Sequence, residues 1–278
     1  MRYFETVITS RQNEKISDLC RLNDKKYREQ ERLFRFDGFK LLFEALSKQI
    51  VIRSVFLRED IVLPEAIGEK LSQTDAVLYR ISASLFDRIS DEKSPEGVIT
   101  TAEYIDKFFN HAIIKEEEKL QMIQSSVPSD APALFLESIQ DPQNFGALIR
   151  SAAAFGVSCV ICDGSCADKY HPKALRASMG AIFSMPCITV SDLPRAVSEM
   201  ARTHRVFAAA LHTDSMPLGT FEKRSGDCLI IGNEGHGVSG AVLDAATGSV
   251  IIPMDRGVES LNAAVAAGIL LWEFRGRR

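Results

Sequence analysis

The chain has 278 residues, a formal net charge of −4 and six cysteines. That length allows two domains with a core each, and no apolar run approaches the ~20 residues that a membrane span requires. The acidic balance by itself argues against a nucleic-acid binder, and six cysteines are few for a disulfide scaffold, so the expected setting is the cytoplasm with the thiols reduced.

The first residues, "MRYFETVITSRQNEK", carry no apolar segment behind their charges, and nothing marks them for secretion. Residues 11–30 read as polar and helical, with Ile16, Leu19, Cys20 and Leu22 as the apolar stripe. Charge is uneven along the chain: residues 1–54 hold 12 Lys and Arg against 8 Asp and Glu, and the "RGRR" C-terminus is basic as well. A local basic surface can hold phosphates. A solvated helix face explains the same charges equally well.

From about 32 to 103, short apolar runs such as "RLFRF", "IRSVFL", "AVLYRIS" and "GVITTAE" alternate with the helix-like "GFKLLFEALSKQ", "PEAIGEKLS" and "ASLFDRIS". That alternation predicts an α/β unit with a mostly parallel sheet. The next stretch, "IIKEEEKLQMIQSSVPSDAP", is charged first and Ser/Pro-rich last, and reads as an interdomain linker. The expected boundaries are a first domain over 1–112, a linker over 113–130 and a second domain over 131–278.

A second alternating series runs from "ALFLESI" through "ALIRSAAAFG", "VSCVICD", "PKALRASMG", "LPRAVSEMART", "RVFAAALH", "CLIIG" and "SVIIPM" to "LNAAVAAGILLWEF". Its strands are continuous apolar runs, as expected when helices cover both faces of a parallel sheet. Cys159, Cys162 and Cys166 in "CVICDGSC" raise a metal question, but a second ligand pair with zinc spacing is missing and a buried strand explains the run better. In such a sheet a ligand sits outside the carboxyl ends of the strands.

The loop after "CLII" contains Gly235, Gly237 and Gly240 as GxGxxG, with Asp255 at +20. A dinucleotide turn has to open a helix of normal length, and only "AVLDAATGS" precedes the next strand, too little for an ordinary parallel crossover. The loop is better read from Gly232-Asn233-Glu234-Gly235. Two other loops after strands share its character: "DPQNFGALIRSAAAFG" (141–156) and "PMDRGVESLNAAVAAG" (253–268). Each offers small residues where backbone can approach a ligand, with a few polar groups to orient it. In the first, Asn144 is expected to cap a helix that carries Arg150 partly out of water. In the last, Ser260 and Asn262 open a helix whose apolar body is expected to be buried. Together the three loops predict one composite pocket.

These three segments, in this order, resemble the motifs of the SpoU (TrmH-like) RNA ribose 2'-O-methyltransferases. "HPKALRASMGAIFSMP" resembles the family's segment between the first two motifs, and "ITSRQNEKI", "FDGFKLLFEAL" and "SPEGVITTAE" are similar to its substrate-binding domain. One departure is Asp37, where the family usually has Glu. The resemblance implies a trefoil-knotted α/β methyltransferase domain behind a smaller α/β RNA-binding domain, S-adenosyl-L-methionine as cofactor, an RNA partner and a homodimer; from the cysteine spacing and the apolar runs, neither a metal nor a membrane is expected. It implies cofactor contacts at Gly232, Ile252, Met254, Leu261 and Asn262, largely through backbone. Catalytic and site-shaping positions fall on Arg150, Asn144, Glu234, Ser260 and Asn262.

Methyl transfer to a ribose hydroxyl needs that hydroxyl in line with the departing sulfur, and positioning alone lowers such a barrier by about 7–11 kcal/mol. No obvious general base lies in the motifs; His236 reads as a loop residue. Arg150, always protonated, suits a phosphate clamp, a developing alkoxide, or the proton relay often assigned to it in the family. Taken singly, Arg150 reads as a surface residue, Glu234 and Asn262 as caps and Ser260 as an N-cap. Their joint placement in three loops favours a site. Structured RNA, foremost large-subunit ribosomal RNA, is the expected substrate; a transfer RNA enzyme and a non-catalytic RNA-binding or assembly protein on the same fold are the alternatives.

Overall fold

The computed structural model describes residues 2–92, 94–105, 115–210, 215–220, 222–255 and 260–275. Its packing forms two units, Met1–Ile105 with Tyr170–Ser184, and Asp106–Lys169 with Met185–Arg278.

In chain order the first unit contains β1 (Arg2–Ile8), α1 (Glu14–Arg21), α2 (Lys25–Glu31), β2 (Leu33–Asp37), α3 (Phe39–Ser47), β3 (Ile52–Arg58), α4 (Glu65–Ser72), β4 (Val77–Ile81), α5 (Ala83–Ile89) and β5 (Val98–Glu103). The expected helix over 11–30 is two helices, because Asp24 caps a new one through the Lys26 N–H. Ile16, Leu19 and Leu22 of the stripe are buried, and Cys20 is half-buried. The sheet order is β1-β4-β3-β5-β2. Four of its five strands point the same way, as the mostly parallel expectation has it; β5 is reversed, running antiparallel to both β3 and β2. Strand alternation in sequence does not reveal pairing direction, and β1 lies outside the alternating series that begins near residue 32. Asp37, the departure from the family pattern, accepts from buried Arg35 at 3.1 Å and from the Ser90 hydroxyl at 2.8 Å, so it serves the core of this unit.

The chain continues with α6 (Glu116–Ser126), β6 (Ala133–Leu136), α7 (Pro142–Ala154), β7 (Cys159–Asp163), α8 (Pro172–Ser178), β8 (Cys187–Val190), α9 (Leu193–Ala201), β9 (Val206–Ala209), β10 (Met216–Pro217), β11 (Cys228–Ile231), α10 (Gly240–Ala245), β12 (Gly248–Ile251) and α11 (Ala263–Phe274). Within the stretch read as a linker, α6 is thus a helix. Its Leu120 and Ile123 join the core of the second unit, each contributing about 1.5–3 kcal/mol by burial. The sequence misled here because α6 shows three glutamates in its first turn and only a narrow apolar stripe. The stretch 170–184, with α8, packs with the first unit: Tyr170 stacks against both Phe34 and Tyr104, with centroids 4.6 and 4.0 Å away, and Arg176 pairs with Glu92 at 3.0 Å.

The second sheet has the order β10-β12-β9-β11-β6-β7-β8, and every pairing in it is parallel. Alternate residues of its strands face opposite sides. Phe135, Ile161, Ile188, Ala208 and Ile230 form one core with α6, α9 and α10. Phe207 instead meets Phe274 of α11, with centroids 5.7 Å apart, so α11 and its neighbour α7 cover the other face. Covering both faces is why the strands read as unbroken apolar runs. Cys159 and Cys162 lie in β7, and burial pushes the Cys159 thiol up to about 12. Among the described residues, no helix is long and apolar enough to cross a membrane.

Candidate active site

Because this sheet is parallel, the loops that leave β6, β9, β11 and β12 emerge at the same edge. Around that edge lies a cleft of about 460 Å³, lined by residues that include Ala209, Ala210, Gly232, Glu234, Ile252, Met254, Ser260 and Leu261. This volume lies within the usual range for small-molecule sites, about 300–1,000 Å³. The strand expected through Met254 ends at Ile251, since Pro253 cannot donate to a ladder. The segment 252–254 is therefore free to line the cleft. Residues 256–259 of the third motif lie outside the described residues.

Gly232 has a specific reason to be glycine. A Cβ there would lie 2.3 Å from the Gly237 carbonyl carbon and 2.5 Å from the Val238 nitrogen. The loop folds back on itself through Asn233 N–H to Gly237 O at 3.0 Å and Gly237 N–H to Asn233 O at 2.9 Å. Asn233, which sequence reasoning passed over, organises the turn: its Oδ1 accepts from the Gly235 and His236 N–H groups, and its Nδ2 donates to the Ser138 carbonyl at 2.8 Å. An Asn before a Gly-containing turn is the signal that was available.

Three side chains tie the three loops together. Asn144 Nδ2 donates to Glu234 Oε1 at 3.0 Å, and Asn262 Nδ2 donates to Asn144 Oδ1 at 2.9 Å. Asn262 also caps α11, its Oδ1 accepting from the Ala264 and Val265 N–H groups. Asn144 is not a cap, contrary to expectation. Asp141 caps α7 through the Gln143 N–H, with Pro142 at the first helical position, the Asp-Pro combination favoured at a helix start. Asn144 then sits inside the first turn with its amide free to reach across. Ser260 lines the cleft and caps nothing; Asn262 does the capping.

Two burial expectations fail. Arg150 is exposed on α7 and does not line the cleft. Only one face of α11 is buried: Val265, Ile269 and Trp272 are 52, 38 and 62% exposed. An apolar sequence states what a helix can bury, and neighbours decide what it does bury. The structure thus brings Gly232, Glu234, Ile252, Met254, Ser260 and Leu261 to one cleft, fastens Asn144 to Glu234 and Asn262 to Asn144, and leaves Arg150 outside.

Asn262→Ala removes both the cap and the tie to Asn144. A stability loss of about 1 kcal/mol is expected, along with weaker ligand binding in the cleft. Asn262→Asp keeps the cap acceptors and loses the amide donor, so its melting temperature should recover while binding does not. Thermal melts beside calorimetric titration of S-adenosylmethionine check both.

A parallel α/β sheet whose carboxyl-end loops build one cleft of backbone, small residues and linked carboxamides is a small-molecule site, and the loop at 232–240 leads only into the six-residue α10, not into the full crossover helix of a dinucleotide turn. The SpoU rRNA Methylase family model matches residues 131–272, and an MRM3-like substrate binding domain matches residues 13–100. The chain belongs to the SpoU rRNA methylase family. The 23S rRNA (guanosine(2553)-2'-O)-methyltransferase RlmP of Bacillus subtilis (strain 168) is 28% identical over 270 residues, covering 97% of this chain and 99% of its own. The 23S rRNA (guanosine-2'-O-)-methyltransferase RlmB of Xanthomonas campestris pv. campestris is 28% identical over 207 residues, 74% of this chain and 80% of its own. Among solved structures, an AdoMet-bound rRNA methyltransferase from Sinorhizobium meliloti is 26% identical, with a TM-score of 0.79 and 97% of both chains covered.

Proposed function

We propose that this protein carries out S-adenosylmethionine-dependent 2'-O-methylation of a ribose in structured RNA, with large-subunit ribosomal RNA as its substrate. The carrying observation is the cleft at the carboxyl edge of the second sheet, where three loops are joined through Asn144, Glu234 and Asn262. Relatives whose names specify 23S rRNA favour ribosomal over transfer RNA.

The cleft fits such a cofactor: Gly232 lets the loop at its edge close on itself, where a Cβ would meet the Gly237 carbonyl, and Ala209 and Ala210 line the wall with little side chain. When bound, S-adenosylmethionine supplies a methyl group on a positively charged sulfur. Gly232, Ile252, Met254 and Leu261 hold it, with Asn262 fixing the helix behind. Asn144, Glu234 and Ser260 shape the place where the ribose enters. Arg150, exposed and always charged, meets the RNA, at a phosphate or at the oxygen that is losing its proton. The knot belongs to this proposal, with α11 threaded beside α7 and β11. So does the homodimer, which the exposed apolar stripe Val265, Ile269 and Trp272 supports. The working compartment is the cytoplasm.

Calorimetry with S-adenosylmethionine and with NAD, followed by methylation of ribosomal RNA transcripts, tests the proposal. Mapping 2'-O-methyl groups on ribosomal RNA from cells with and without the protein locates the nucleotide. NAD binding without S-adenosylmethionine binding would overturn the methyltransferase assignment. Binding of RNA and cofactor with no transfer would make the protein an assembly factor.

Residues 1–112 are assigned to RNA recognition. Arg11, Lys15, Lys25 and Lys26 are exposed around α1 and α2. Replacing all four with alanine is expected to weaken RNA binding while cofactor affinity holds. The slope of binding against salt should flatten by about one per lost phosphate contact. Unchanged RNA affinity and slope would remove this surface from the interface.

A further inference from the structure

One carboxylate joins the exits of β6 and β7. Asp163 ends β7 and accepts through Oδ2 from the Ser138 N–H at 3.0 Å and the Ser138 hydroxyl at 2.9 Å. Its Oδ1 accepts from the Ser165 and Cys166 N–H groups at 2.9 and 3.0 Å. Ser138 needs such an anchor. Its φ is +54°, a left-handed conformation that a residue with a Cβ keeps only where its surroundings impose it.

That conformation decides where the Ser138 carbonyl points, and it points at Asn233, whose Nδ2 donates to it at 2.8 Å. Asn233 Oδ1 in turn accepts from Gly235 and His236 at 2.9 and 3.1 Å, so the turn carrying Glu234 is folded around one side chain. The neighbouring Glu137 secures the far end of the same loop, its Oε2 accepting from the Ser239 N–H at 2.8 Å. Neither Asp163 nor Ser138 lines the cleft.

We propose that Asp163 is a positioning residue for the transfer reaction, holding Ser138 left-handed so that its carbonyl sets Asn233, and through Asn233 the Glu234 loop at the rim of the cleft. The inference rests on the methyltransferase function proposed above. Asp163→Ala takes away the anchor, and Ser138 relaxes toward negative φ and turns its carbonyl away from Asn233. Glycine adopts positive φ without steric cost, so adding Ser138→Gly to that variant lets the carbonyl return with no carboxylate present. The Ser165 and Cys166 N–H groups stay without their acceptor in both variants.

The test compares full-length wild type, Asp163→Ala and the double variant by kcat, KM for RNA and melting temperature. Asp163→Ala should lower kcat on the order of tenfold to a hundredfold, the scale set by a misplacement of about 1 Å, with KM little changed. The double variant should regain most of kcat while its melting temperature stays at the single variant's lower value. Wild-type kcat in Asp163→Ala, or a double variant no faster than the single one, would show that Asp163 only stabilises its own turn. Absence of turnover in the wild type on ribosomal RNA would sink the methyltransferase function as well; turnover there with an unimpaired Asp163→Ala sinks this inference alone.

Discussion

Gly232→Ala is expected to remove most of the S-adenosylmethionine affinity. The added methyl meets the Gly237–Val238 peptide of its own turn, at 2.3 Å from both the carbon and the oxygen of the Gly237 carbonyl and 2.5 Å from the Val238 nitrogen. A flexible side chain could swing away; a turn closed by two Asn233–Gly237 hydrogen bonds and by the Asn233 amide has to shift as a body. Overpacking of this kind costs about 1–3 kcal/mol, and each 1.4 kcal/mol is about tenfold in affinity, so a loss of ~10- to 100-fold is expected. Gly240→Ala is the control at the end of the same loop. Its Cβ would find nothing within 4 Å, Gly240 does not line the cleft, and binding should stay close to wild type. Calorimetric titration of both variants decides the matter: equal affinities would mean that the turn at 232–238 does not shape the cofactor site.

Arg150→Ala is expected to abolish methyl transfer and leave cofactor affinity nearly untouched. The guanidinium is exposed on α7, outside the cleft, so no contact with the cofactor is lost. Loss of a single group that stabilises developing charge typically costs about 10²–10³ in kcat, and single-turnover rates on ribosomal RNA transcripts would read it directly. Arg150→Lys keeps the charge but not the planar fork, and should recover only part of the rate. Equal losses of cofactor binding and rate would instead place Arg150 against the cofactor. No loss of rate would leave it an ordinary surface residue.

Much of the second unit was legible because its physical signals are local. A strand covered on both faces must be apolar at every position, so "ALFL", "CVIC" and "CLII" identified themselves, and a parallel sheet places the loops that follow at one edge. The small and polar residues of those loops were visible for the same reason. The first unit was less legible: β5 runs against its neighbours, and direction leaves no trace in alternation.

Sequence alone determined which residues could build a site: Gly232, Glu234, Ser260 and Asn262 in loops after strands, with Asn144 and Arg150 on the helix between. It also determined the two-part α/β organisation, since periodicity and loop chemistry are properties of neighbouring residues. Tertiary structure decided the rest. It made Asp141 the cap of α7 and freed Asn144 to bridge Glu234 and Asn262, and it turned the acidic stretch 116–126 into a core helix of the second unit. It also assigned residues 170–184 to the first unit, left Arg150 in solvent, and placed Asp163 beneath the Ser138 turn. Apart from the Asp141 cap, whose Gln143 partner is two residues away, these depend on partners distant in the chain or on the surface left uncovered, and a hydrogen bond or a buried face acquires its partner only when the chain has folded.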